Sequence, residues 1–217
     1  DSRQNSIELG ASTIPSAYIL PEILVNYQKK YPQVSFGIFQ SDSLDIINKV
    51  IDGSLDLGIT GIKTDHSSCI CEAFCEDELV IAAPATEPYL QLKEQDDFLD
   101  KLLTNPIIIR ESGSGTKKEA DKFLESIGMS YVSLNVAARM NDLEAIKKSI
   151  EKGLGISIVS YKSIEDLVKS GKIICFHFNE KRIIRHFYIV YRKNHLPSNQ
   201  LEQFINFMKL SIKKPSE

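Results

Sequence analysis

The chain has 217 residues, of which 42% are hydrophobic and 25% charged, and carries a formal net charge of −3. That composition is ordinary for a soluble globular protein, and the length suits one large domain or two lobes of ~100 residues each. No apolar run approaches the ~20 residues of a membrane-spanning helix. Lys and Arg form no basic stripe, so this piece on its own is a poor partner for nucleic acid.

The opening Asp1-Ser-Arg-Gln-Asn lacks the charged-then-apolar pattern of a signal peptide. It fits a native N-terminus, a mature secreted chain or a fragment of something longer. Residues 7–11 read as a strand, followed by the turn Ser12-Thr13-Ile14-Pro15. A helix over 15–31 places Leu20, Ile23, Leu24, Tyr27 and Tyr31 on one stripe, with Pro21 kinking it or starting its regular part. Residues 34–40 alternate as a second strand. Ser41-Asp42-Ser43 suits the start of a helix over 44–52, with Leu44, Ile47, Val50 and Ile51 as its stripe and Gly53 as its stop. Residues 55–60 form a third strand. The order β-α-β-α-β predicts a parallel sheet covered by helices.

Two extended runs follow, over 69–74 and 78–83, and then a linker over 84–88. Cys69 and Cys71 lie in the first run and Cys75 directly after it, in Cys-Ile-Cys-Glu-Ala-Phe-Cys; the fourth cysteine is Cys175. Their spacing is not the CxxC of a zinc site. Extended backbone puts Cys69, Cys71, Ala73 and Cys75 on one face, as small buried residues, with metal or redox use as the alternative. Unpaired thiols so closely spaced suit a reducing cytoplasm.

The pattern then restarts: a strand over 106–110, the loop Glu111-Ser112-Gly113-Ser114-Gly115-Thr116, and a helix with Ala120, Phe123, Leu124 and Ile127 on one face. A strand over 132–138, a helix over 142–152, a strand over 156–159 and a short helix over 164–169 come next. Strands over 173–178 and 184–191 and a helix over 198–212 end the chain. The predicted class is α/β, with two similar lobes joined by crossover strands. The lobes are residues 1–84 plus 186–217, and 85–185.

In open parallel sheets, ligands bind beyond the carboxyl ends of the strands. Four predicted strand ends deliver small polar residues there: Ser12 and Thr13; Ser41, Asp42 and Ser43; Ser112, Gly113, Ser114 and Thr116; Asn141 and Asp142. The helix starts beside them offer backbone N–H groups and partial positive charge, suited to an anion. Each of these residues also reads as a helix cap, with Thr116-Lys-Lys-Glu119 and Asn141-Asp-Leu-Glu144 fitting capping boxes. The glycines of the 113–116 loop stand too close together for a phosphate-binding P-loop. Arg110 either reaches the ligand or pairs with Glu111, and Arg139 reads as surface. His66, His177, His186 and His195 lie away from the four strand ends, and no nucleophile–base order stands out. No catalytic residue, metal ligand or cofactor is assigned; Asp42 and Asp142 as an acid pair are the remaining option.

Gly10-Ala-Ser-Thr-Ile-Pro, Leu20-Pro21, Tyr31-Pro32-Gln-Val34 and Asp52-Gly-Ser-Leu-Asp-Leu-Gly-Ile59 resemble, in register, the effector-binding domain of LysR-type transcriptional regulators. Arg110-Glu-Ser-Gly-Ser-Gly-Thr116, Asn141-Asp-Leu-Glu-Ala-Ile146 and Gly153-Leu-Gly-Ile-Ser-Ile158 extend the likeness over nearly the whole chain. Ser41-Asp42-Ser43 stands where the CysB- and CysL-like branch has Gly-Asn-Thr. The resemblance implies two Rossmann-like subdomains of the type 2 periplasmic-binding-protein kind. It also implies a small-molecule effector at the four strand-end sets named above, bound between the lobes. It further implies a winged helix-turn-helix outside this chain that contacts DNA, a cytoplasmic homodimer or homotetramer, and antiparallel pairing of helices 15–31 and 117–127 between subunits. A free solute-binding protein of the same fold is the alternative, and an enzyme on the same lobes a third reading.

Overall fold

The computed structural model describes residues 6–178, 182–193 and 199–212. The chain divides into two compact units, Asp1–Glu76 with His186–Glu217, and Asp77–Arg185. The sequence reading set its first boundary after residue 84.

In the first unit, β1 (Ser6–Ala11) pairs in parallel with β2 (Ser35–Gln40) and with β3 (Leu57–Thr60). β3 pairs antiparallel with β9 (Ile183–Arg192) through Gly58–Val190, Ile59–Ile189 and Thr60–Tyr188. Between β1 and β2 the chain makes a π-helical turn, Pro15–Ile19, before the regular helix α1 (Leu20–Lys30). Pro21 sets that boundary, because its ring and missing N–H are tolerated only in the first turn of an α-helix. The buried side of α1 is Leu20, Ile23 and Tyr27, with Tyr31 half-buried.

Helix α2 (Ser43–Asp52) ends at Gly53, which takes the left-handed conformation (φ 88°) that glycine adopts without strain. Its buried face is Ser43, Ile46, Ile47 and Val50, whereas Leu44, expected in the stripe, is 60% exposed. The helix begins at Ser43 and turns that residue inward, which rotates the stripe. Ile46 lies so close to β1 that a Cβ on Gly10 would stand 2.8 Å from its Cδ1 and 2.5 Å from Leu55 Cδ1.

The last helix, α8 (Asn199–Ile212), belongs to this unit. Phe204 and Phe207 meet the Tyr27 ring edge-on at 4.9 and 5.1 Å between centroids. Lys209 and the Tyr191 hydroxyl both donate to the carboxylate of Glu72, a residue of β4 (Cys69–Pro84).

The second unit is built on both faces of the second half of β4. β7 (Ser157–Ser160) and β8 (Ile173–Phe176) pair with it antiparallel. Alternation along the strand sends Leu79, Ile81 and Ala83 to one core with Phe123, Leu124 and Phe176. It sends Val80 and Ala82 to another core with Ile146, Ile150 and Ile164. β5 (Ile107–Arg110) and β6 (Val136–Met140) form a parallel pair, and Ile107 bridges in parallel to Ile156 just before β7. The helices are α5 (Gly115–Ser126), α6 (Leu143–Glu151) and α7 (Tyr161–Lys169).

Two expectations about elements are corrected. Cys69–Pro84 is one 16-residue strand, not two runs; Glu76-Asp77-Glu78 looks like a break, but Asp77 is buried against partners described below. The strand expected over 132–138 is a 3-10 turn, Tyr131–Ser133, followed by β6, because Ser130 and Ser133 close a capping box and leave Val132 97% exposed. Beyond the linker expected over 84–88, where the sequence reading assigned no element, lie two short helices, α3 (Tyr89–Leu92) and α4 (Phe98–Leu102), whose Tyr89, Leu92, Phe98 and Leu102 enter the Leu79 core.

Asp77 and Arg185 are the first and last residues of the second unit. Arg185 Nε donates to Asp77 Oδ2 at 2.9 Å, and the side chains are 4% and 0% exposed. Ser160 Oγ donates to Asp77 Oδ1 at 2.7 Å. Among the described residues, no helix is long and apolar enough to cross a membrane.

Two stability outcomes follow from these contacts. Arg185→Met leaves the Asp77 carboxylate buried without its cation and is expected to cost about 3–5 kcal/mol in urea unfolding, while the double change Asp77→Leu/Arg185→Met recovers most of it. Additive losses would show that the pair is not coupled. The buried Tyr27 hydroxyl meets no hydrogen-bond partner among the described residues, so Tyr27→Phe should hold or raise stability, by up to about 1 kcal/mol. A loss larger than that would mean the hydroxyl is satisfied in solution.

Candidate functional site

The carboxyl ends of the first unit's parallel strands are tied together by short bonds. The Ser12 amide donates to Ile59 O at 2.9 Å, and the Ser41 amide to Ala11 O at 3.3 Å. The Gly61 amide donates to Ser43 Oγ at 2.9 Å. Ser12, Thr13, Ser41, Asp42 and Ser43 are thus brought to one end of the sheet, beside Thr60 and Gly61. Ser43 is 1% exposed, and its oxygen accepts one bond, which leaves its hydroxyl proton to donate and a second lone pair to accept. Asp42 caps α2, Oδ1 accepting from the amides of Leu44 and Asp45 at 3.0 Å each.

The second unit repeats the arrangement after β5 and β6. Ser114, 5% exposed, caps α5 by accepting from the Lys117 amide at 3.3 Å. The capping box expected to start at Thr116 is therefore displaced: the helix begins two residues earlier, and Thr116 is a buried residue of its first turn. Asp142, not Asn141, caps α6, with Oδ1 accepting from the Ala145 amide at 2.8 Å. Asn141, Asp142 and Ser112 are exposed, and Gly113 is half-buried. Arg110 is 6% exposed and grips Glu111 with two bonds, Nε to Oε2 at 2.9 Å and Nη2 to Oε1 at 3.0 Å. Arg139 is exposed.

The three helix starts differ in charge. α2 has Asp42 as cap and Asp45 in its first turn; α6 has Asp142 and Glu144. These carboxylates already occupy the positive ends of their helices. α5 has a neutral cap, no acidic residue in its first turn, and Lys117 and Lys118 there instead. Of the three, it is the start at which an added anion meets no fixed carboxylate.

Asp77, Ser160 and Arg185 escaped the sequence reading. β7 ends at Ser160, so this buried cluster sits at the carboxyl end of a strand of the second unit. A signal was present: Asp77 alternates with Cys75, Leu79 and Ile81, and Arg185 with Phe187 and Ile189, so both charges fall on inward positions.

A second polar group lies elsewhere in this unit. Cys175 Sγ is 3.6 Å from His177 Nε2, and His177 Nδ1 is 2.9 Å from Glu78 Oε1, which also accepts from Arg182 Nε at 3.1 Å. Burial pushes the Cys175 thiol up, opposite to the activation a nucleophile needs. Burial alone would raise the Glu78 carboxyl, but the bonds and charges of His177 and Arg182 together outweigh it and hold the group below its ordinary value. Cys69, Cys75 and Cys175 are buried and Cys71 is half-buried, all four as thiols and not as disulfides. Among the described residues, no group of three or more His, Cys, Asp or Glu is arranged to hold a metal.

The LysR substrate binding domain profile matches residues 1–211. The uncharacterized HTH-type transcriptional regulator YeiE of Escherichia coli (strain K12) is 32% identical over 93% of this chain and 67% of its own length. The phosphonates import ATP-binding protein PhnC of Anaeromyxobacter dehalogenans is 28% identical over 95% of this chain, which spans 41% of that protein. The Synechocystis CcmR regulatory domain in complex with 2-PG superposes with a TM-score of 0.85 at 21% identity, covering 97% of this chain and 99% of the other. That likeness is one of α/β fold. With the profile spanning nearly all of the sequence and YeiE aligned over most of it, the chain belongs to the LysR substrate binding domain family.

Proposed function

We propose that this chain is the effector-sensing domain of a LysR-type transcriptional regulator and that its effector is a small anion. The observation that carries the reading is family membership over residues 1–211, combined with polar strand-end loops in both units. Ser12, Thr13, Ser41 and Ser43 of the first unit, and Ser112, Ser114, Thr116 and Asn141 of the second, are the ligand contacts. Asp42, Gly113 and Asp142 shape the same loops. Hydroxyl and amide bonds to an anion contribute about 1.5–3 kcal/mol each. Several together offset the desolvation of a small ion.

Within this reading the protein works by binding and not by turnover. Effector occupancy changes the balance of two states of the domain by its differential affinity for them. A helix-turn-helix domain, as in the relatives named for one, contacts DNA, and the protein acts in the cytoplasm. Helices 15–31 and 117–127 pair antiparallel between two copies in a homodimer, which needs self-complementary surfaces. A species that sediments as a monomer at high concentration contradicts that assembly.

Thermal unfolding with inorganic phosphate, sulfate and small carboxylates tests the site. A binder at a hundred times its Kd should stabilise the domain by about 2.7 kcal/mol. Ser43→Ala and Thr116→Ala should each shrink that ligand-induced shift. The shift is the measure, because Ser43→Ala also leaves the Gly61 amide without its acceptor and lowers the baseline. An anion whose shift survives both substitutions binds somewhere else.

A further inference from the structure

The second unit holds two buried guanidiniums, Arg110 and Arg185, at 6% and 5% exposure. They are close enough to feel each other: burial lowers the pKa of Arg185, Asp77 raises it again, and the like charge of Arg110 lowers it further. Buried cations need anions. Asp77 is fully buried and committed, accepting from both Arg185 and Ser160. Glu119, the other carboxylate acting on Arg185, is bonded to Lys122 at 2.7 Å. The counter-ion of Arg110 is Glu111, its own chain neighbour, whose side chain is 35% exposed.

That pair has an unusual balance. The cation is buried and its anion half in water. The bond joins adjacent residues, so opening it disturbs no long-range contact. It lies at the carboxyl end of β5, three residues before the neutral N-cap of α5.

We propose that Arg110 is the effector-recognising cation of the second unit, and that an oxyanion of the effector, carboxylate or phosphate, takes the place of Glu111 on its guanidinium. This rests on the effector reading above and adds the specificity-determining residue. The exchange substitutes one bidentate oxyanion for another, so the buried guanidinium stays paired throughout. The freed Glu111 carboxylate moves into solvent, which its exposure already allows. Arg185 stays locked to Asp77, whose carboxylate neutralises it, so Asp77 is not released as a competitor for Arg110. The acid-free first turn of α5, which follows in the same loop, contributes positive potential.

Calorimetric titration with inorganic phosphate, sulfate, small carboxylates and a set of neutral sugars tests the exchange on wild type, Arg110→Lys, Arg110→Gln and Glu111→Gln. Circular dichroism confirms that each is folded. Removing the competing carboxylate in Glu111→Gln should tighten oxyanion binding about tenfold. Arg110→Lys, a point charge in place of a fork, should weaken it at least about tenfold, and Arg110→Gln should abolish it. Glu111→Gln keeps the test decisive if the Arg110 variants do not fold: unchanged or weaker oxyanion binding in that variant overturns the exchange. So does a folded Arg110→Lys that binds like wild type. If oxyanion binding nevertheless depends on Ser43 and Thr116, the effector reading stands and Arg110 is not its anion receptor; if only neutral sugars bind, the domain still senses a small molecule but both the anionic effector and the exchange at Arg110 fail. Binding of no compound in the set counts against both.

Discussion

A guanidinium and a carboxylate placed where water does not reach them must find each other, and much of the second unit is arranged around one such pair. Asp77 and Arg185 lie on different strands, 108 residues apart in the chain, and meet at 2.9 Å. Breaking such a pair is far more costly than never having had it. The pair therefore selects the register of the strands that carry it more strongly than it adds net stability. Because Asp77 is satisfied inside, β4 runs unbroken through the acidic triplet Glu76-Asp77-Glu78, and Ser160, bonded to the same carboxylate, fixes where β7 ends. The loops that follow these strand ends inherit their positions from that arrangement.

The first unit reaches comparable order by other means. Its strand ends are stitched through backbone groups and one hydroxyl: Ser12 to Ile59, Ser41 to Ala11, Gly61 to Ser43. Close approach of α2 to the sheet is possible because Gly10 and Gly58 leave room for Ile46 and Val50. Two small-residue strategies thus meet at the same place in the topology. Glycines let the helix come down onto the sheet, and serines at the helix start satisfy the amides that the sheet leaves open. A serine that accepts an amide there still has its own proton to donate. Accepting a backbone amide and contacting a ligand are accordingly compatible at Ser43 and at the cap Ser114.

The strands and long helices were legible in the sequence because their periods are long enough to show. The stripe Leu20, Ile23, Tyr27 and the run Ile107-Ile108-Ile109 both have one structural solution. α3 and α4 have four and five residues, too few for a 3.6-residue period to register. The caps were legible to within two residues, since several small polar residues in a row compete for the role and only tertiary packing chooses Ser114 over Thr116. Asp77 and Arg185 were missed because a charge in a strand reads as solvent-facing unless its alternation with buried neighbours is followed to the partner strand. Hydrophobic periodicity sets where each strand-end loop sits within its unit; what ligand it holds is a matter of chemistry that no hydrophobic pattern encodes.

The unit's two arginine pairs show how similar geometry serves different ends. Arg185–Asp77 and Arg110–Glu111 have the same 2.9 Å contact and nearly the same buried guanidinium. The first spans 108 residues and closes on a fully buried acid, so it constrains tertiary structure and cannot open without unfolding. The second spans one residue and closes on an acid that is 35% exposed, so it constrains almost nothing beyond its own loop. A contact with little tertiary consequence is poor evidence of a structural role, yet burying Arg110 still carries a desolvation cost. A cation kept buried at that cost, beside a helix start without acid, is better accounted for by an anion it has yet to meet than by the neighbour it holds.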